Sequence, residues 1–75
     1  MMSFYEFMQG FIGDKTPLGE LTQWINQDQY FPKHEDFSEN ILNYFLKIPA
    51  LDHEFLEIVK RSISLYEQSR LGSKI

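Results

Sequence analysis

The sequence predicts an all-α fold, a single small domain, from three observations. Apolar residues recur every three to four positions in four separate stretches. Each stretch opens on a recognisable helix-start signal. No stretch shows the sustained two-residue alternation between turn signals that marks a strand. The chain has 75 residues, 43% hydrophobic and 24% charged, enough for one core and too few for a second. Four or five short helices in one unit, residues 1–75 with an ordered core from about 3 to 71, is the expectation.

The first element opens at Ser3-Phe4-Tyr5-Glu6. This is a capping box, in which the serine hydroxyl and the glutamate carboxylate each satisfy a backbone N–H at the helix start. Phe4, Phe7, Met8, Phe11 and Ile12 follow on one helical stripe, and Gly13 supplies the left-handed stop. The second element starts at Thr16-Pro17, where proline at the first helical position gives up no hydrogen bond. Leu18, Leu21, Trp24, Ile25 and Asp28 keep helical spacing, and Gly19 costs a little helix propensity. This helix ends by Gln29, ahead of Pro32. The connector Tyr30–Glu35 holds two aromatics, Tyr30 and Phe31, and an aromatic in a short loop is expected to anchor one end of a core.

The third element starts at Asp36-Phe37-Ser38-Glu39, with Asp36 as its N-cap. Ile41, Leu42, Tyr44, Phe45, Leu46 and Ile48 leave Glu39, Asn40, Asn43 and Lys47 as a narrow polar strip, so the helix is expected to be central or to have two occupied faces. Pro49 stops it. Asp52 caps the fourth element, Glu54 and Glu57 suit its positive end, and Arg70 suits its negative end. Phe55, Leu56, Val59, Ile63 and Tyr66 form its core stripe. Gly72 ends it, and Ser73, Lys74 and Ile75 are expected to fray.

Composition excludes several classes. Seven Phe, four Tyr and one Trp with a net charge of −4 are incompatible with a disordered chain. No cysteine means no disulfide framework and no thiolate zinc site, which fits the cytosol. The first basic residue is Lys15, and Glu6 and Gln9 interrupt any signal-like apolar run. The longest such run, Ile48–Leu51, is far short of the roughly 20 residues that span a bilayer. A soluble cytoplasmic protein without a membrane partner is expected. The pI near 4.9, with only Lys60-Arg61 adjacent, weighs against nucleic acid.

Candidate chemistry fares no better. No G-x-S-x-G elbow exists to activate a serine. His53-Glu54-Phe55-Leu56-Glu57 has glutamate where a zinc protease helix needs its second histidine, and two ligands do not make a zinc site. In His34-Glu35-Asp36, Asp36 reads as a cap in a wet loop, whereas paired acid–base carboxylates need a concave, partly dry setting. Gly10, Gly13 and Gly19 match no phosphate loop. The expectation is no catalytic residue, no metal, no cofactor and no enzyme.

Ser3-Phe4-Tyr5 with Phe7, then Trp24-Ile25-Asn26 through Phe31-Pro32-Lys33, Asp36-Phe37, Ile41, Tyr44 and Tyr66 together resemble the YozE-like family, small proteins chiefly of Gram-positive bacteria. The resemblance spans roughly residues 3–67. Lys60, Arg61 and Ile63 stand where that family tends to carry an acidic pair and an aromatic residue. The resemblance implies a small four- to five-helix orthogonal bundle of the SAM-like (sterile-alpha-motif-like) kind. It implies no activity and no catalytic residues. SAM domains proper are mostly protein-interaction modules, an analogy at the level of fold.

A possible partner surface is visible on the fourth helix. On a 100° wheel centred on Val59, Ile58 and Leu65 lie about 100° and 120° from the core direction. With Ser62 and Ser69 they form a second seam, Ile58, Ser62, Leu65 and Ser69, whose small serines would admit another backbone. Two readings stand open: the bundle wraps this seam itself, or a partner chain meets it, with self-association one form of that. The expected function is a non-enzymatic interaction or regulatory module recognising another protein. The alternative is a nucleic-acid-binding regulator reading through Lys60, Arg61 and Arg70.

Overall fold

In this computed structural model, which describes residues 2–72, the chain forms α1 (Phe4–Met8), α2 (Pro17–Gln27), α3 (Ser38–Leu46) and α4 (His53–Gly72), with one 3-10 turn at Gln9–Phe11. No strand occurs among the described residues. No helix is long and apolar enough to cross a membrane. The expectation for Ser73, Lys74 and Ile75 lies outside the described residues.

The capping box of α1 forms as read: Glu6 N–H donates to Ser3 Oγ at 3.2 Å and Ser3 N–H to Glu6 Oε1 at 3.0 Å. The helix then tightens into the 3-10 turn. Three residues per turn instead of 3.6 change the phase of the stripe, so Ile12, expected in the core, stands 63% exposed. Gly13 closes the segment at φ +82°. At the start of α2, Thr16 caps through its backbone only, and Asp14 Oδ1 accepts the Thr16 N–H at 2.9 Å. Gly19 is more than a propensity cost. The chain at Asp14 crosses directly over it, and a Cβ there would sit 1.8 Å from the Asp14 carbonyl oxygen.

α2 stops at Gln27 because Asp28 turns the chain. Its Oδ1 accepts the Tyr30 N–H and its carbonyl accepts the Phe31 N–H, both at 3.1 Å, a side-chain-stabilised turn that competes with helix. The expected N-cap at Asp36 does not form. α3 starts one residue later than expected, behind Phe37, which has no side-chain cap. The connector is held from elsewhere: Glu35 Oε2 accepts the Phe37 N–H, the Glu35 carbonyl accepts the Phe4 N–H, and the Asp36 carbonyl accepts Arg70. Nor is α3 buried all round, since Ile41 and Phe45 face the core while Leu46 is 54% exposed. After Pro49 the chain turns through Ala50 at φ +58°. Asp52 caps α4 as expected, Oδ2 accepting the N–H groups of Glu54 and Phe55 at 3.0 and 3.2 Å.

α1, α2 and α3 all pack on α4. Phe4, Met8, Leu21, Ile25, Phe31, Ile41, Phe45, Val59 and Tyr66 are buried between them, each worth about 1.5–3 kcal/mol against exposure. Phe31 is the anchor its loop position predicts, with its ring 5.4 Å from Tyr44, 5.8 Å from Phe45 and 6.3 Å from Phe4. Tyr66 meets Phe4 edge-on at 5.6 Å, and its hydroxyl donates to the Met2 carbonyl at 2.7 Å. The Thr22 hydroxyl lies within 3.0 Å of the Met8 and Leu18 carbonyls, so this buried polar group also has partners.

Candidate partner-binding face

The helical wheel places Ile58, Ser62, Leu65 and Ser69 on one side of α4, and the structure divides them. Ser62 is fully buried, its hydroxyl donating to the Val59 carbonyl at 2.7 Å. Its small side chain makes room for neighbours within the bundle, so it offers no opening to a second chain. Ile58 is half-buried and packs against the core. Leu65 is half-buried but lies outside the set of residues packed on the core. Ser69 is exposed. The seam is therefore divided: Ser62 is wrapped by the bundle, Ser69 is exposed, and Ile58 and Leu65 are half-buried, each bordering a surface groove.

The two grooves are shallow. One, about 390 Å³, lies between the entry to α2 (Asp14, Thr16, Pro17, Leu18) and Ile58 and Arg61 of α4. The other, about 480 Å³, runs along α4 between Glu57, Lys60, Arg61, Ser64, Leu65 and Gln68. Arg61 borders both. Lys60 is held by Glu57 at 3.6 Å, an exposed pair one turn apart. Arg61 is exposed and, among the described residues, makes no ion pair or side-chain hydrogen bond. Sequence reasoning weighed Arg61 only as a phosphate contact. The overlooked signal is its position three residues after Ile58 and four before Leu65, which sets it on the same face.

Other features were not legible as sites. A cleft of about 580 Å³ lies between Ile12–Asp14 and the outer face of α2. Several of its polar groups are already engaged: Asn26 exchanges amide hydrogen bonds with Gln9 at 2.9 and 3.1 Å, and Asp14 holds the Thr16 N–H. Met2, Phe37 and Leu71 are more than half exposed. The Tyr66–Met2 and Arg70–Asp36 bonds bring the segments carrying them to one end of the bundle. His34 and His53 are both exposed, and among the described residues no three His, Cys, Asp or Glu side chains could hold a metal together.

The strongest electrostatic perturbation belongs to a structural pair. The Tyr44 hydroxyl donates to Asp28 Oδ2 at 2.5 Å. Burial, then the hydrogen bond to this carboxylate and its negative charge, push the phenol up to about 12. Tyr66 is also raised by burial, with Arg70 pulling the other way; the Arg70 guanidinium lies 5.3 Å over its ring. Arg70 also pairs with Glu67 at 3.6 Å, and Glu67 accepts the Ser38 hydroxyl. These groups tie helices together; a phenol with a raised pKa is a weaker acid and keeps its proton at neutral pH.

Comparison with known families finds a match over residues 3–68 to the family described as the YozE SAM-like fold. Comparison with curated proteins and with solved structures finds no match.

Proposed function

We propose that this chain, which belongs to the YozE SAM-like family, is a non-enzymatic interaction module that docks a partner protein on the α4 face around Leu65. The observation that carries the reading is Leu65 itself. It is a large aliphatic side chain on the longest helix, outside the set packed on the core and bordering a groove that it shares with Arg61. A partly exposed leucine alone is ordinary surface; here Arg61 also borders a second groove, lined by Ile58, Pro17 and Leu18. Arginine is enriched at protein interfaces, and an apolar side chain beside it gains free energy when a contact excludes water.

Leu65→Glu tests this. Leu65 is half-buried but lies outside the core cluster, so the substitution is expected to cost about 1 kcal/mol, well below a core truncation. In an interface it places an unpaired carboxylate in an apolar contact, which is expensive. Proteins captured from a native lysate by the parent chain are expected to be lost with Leu65→Glu. Capture of the same proteins by both overturns the reading.

A further inference from the structure

We infer that the α4 face recognises an acidic amphipathic helix, one whose carboxylate meets Arg61 while two aliphatic side chains, seven residues apart, seat beside Ile58 and Leu65. The inference rests on the docking role proposed above and specifies the partner's chemistry. Ile58 and Leu65 are separated by seven residues, about 10.5 Å along the axis at 1.5 Å per residue, with Arg61 near the midpoint. The face therefore reads apolar, cationic, apolar in order along the helix. The other charges bordering the grooves are engaged within the chain. Glu57 and Lys60 hold each other, and Asp14 holds the Thr16 N–H. Arg61 is the cation bordering the grooves that has no ion pair among the described residues, and its planar fork matches a carboxylate with two parallel hydrogen bonds.

The same arrangement argues against a second copy of this chain as the occupant. An antiparallel α4–α4 pair that seats Ile58 of each copy on Leu65 of the other brings the two Arg61 side chains together near the two-fold axis. Like charges facing each other in an interface are repulsive. A carboxylate at that point turns the repulsion into an ion pair, and an amphipathic helix laid along a groove supplies aliphatic anchors at this spacing.

The test uses the full chain and two synthetic helix-favouring peptides of about 16 residues. One carries Leu-x-x-Glu-x-x-x-Leu, and the other differs only by lysine in place of that glutamate. Amide shifts in NMR titrations give both the site and the affinity. The glutamate peptide is expected to move signals of residues 57–68 and 14–18 and to bind about tenfold more tightly than the lysine peptide. In Arg61→Glu, an exposed substitution that leaves the core intact, the order is expected to reverse.

Equal affinity of the two peptides at this face overturns the carboxylate inference and leaves the docking role standing. Shifts confined to other residues, or none with either peptide, overturn the inference, and the docking role is then judged by the Leu65→Glu capture. Sedimentation of the chain alone showing a dimer that Leu65→Glu dissolves would make a second copy the occupant and overturn it as well.

Discussion

Replacing Gly19 with alanine sets two physical arguments against each other. Helix propensity favours alanine inside α2 by about 1 kcal/mol. The structure opposes it, because the new Cβ would lie 1.8 Å from the Asp14 carbonyl oxygen and 2.7 Å from its carbon. These are backbone atoms that cannot rotate away, so the segment must withdraw by about 1.2 Å before the contact reaches even a tight separation. That movement strains two hydrogen bonds, Asp14 N–H to the Phe11 carbonyl at 3.0 Å and Thr16 N–H to Asp14 Oδ1 at 2.9 Å, each worth about 1 kcal/mol. Overpacking adds about 1–3 kcal/mol. After the propensity gain is subtracted, the net destabilisation is about 2–4 kcal/mol, the upper end applying if both hydrogen bonds are lost and overpacking is severe. For a domain of this size that lowers Tm by at least about 8 °C. Thermal and urea unfolding followed by circular dichroism would measure it. A midpoint unchanged or raised would refute the claim that Asp14 and α2 are in forced contact.

Tyr44→Phe removes the hydroxyl that donates to Asp28 and is expected to cost about 1 kcal/mol near neutral pH. Because the folded phenol is raised from 10.0 to about 12, the native state holds its proton where the unfolded chain has lost it. The stability tied to this proton is complete below about pH 10 and falls between about 10 and 12, so unfolding followed across that range should be less pH-dependent in Tyr44→Phe. Ala50→Gly is expected to stabilise by about 0.5–1 kcal/mol, read as a raised urea midpoint, because the residue is held at φ +58°, where a Cβ is unfavourable.

Helix starts were legible where the capping partners are close in sequence. Ser3 with Glu6, Pro17, and Asp52 with Glu54 and Phe55 depend on residues within a turn of each other, and all were readable. Asp36 was not, because what fixes the backbone there is a guanidinium 34 residues away and a strand of connector hydrogen-bonded back to Phe4. Ile12 was misplaced because a periodicity argument assumes a constant 3.6 residues per turn and the 3-10 turn breaks it. On α4 the wheel gave the angular positions correctly, yet it says nothing about how wide the neighbouring helices are. Ser62 and Leu65 point about 60° apart on the helix, and only packing by α1, α2 and α3 decides that one is fully buried and the other half-buried. Arg61 was overlooked because basic residues were judged against phosphate alone.

The bond from Tyr66 to the Met2 carbonyl joins positions 64 residues apart, and it has a consequence for synthesis. During translation α1, α2 and α3 emerge before the helix on which all three pack. Phe4 and Phe7 then lack the Tyr66 ring that lies 5.6 and 5.5 Å from them in the finished fold. A nascent chain ending ahead of Tyr66 leaves Phe4 only with Phe31, and Phe7 only with Phe11, among their aromatic neighbours. Cooperative folding is therefore expected to wait until Tyr66 has left the ribosome.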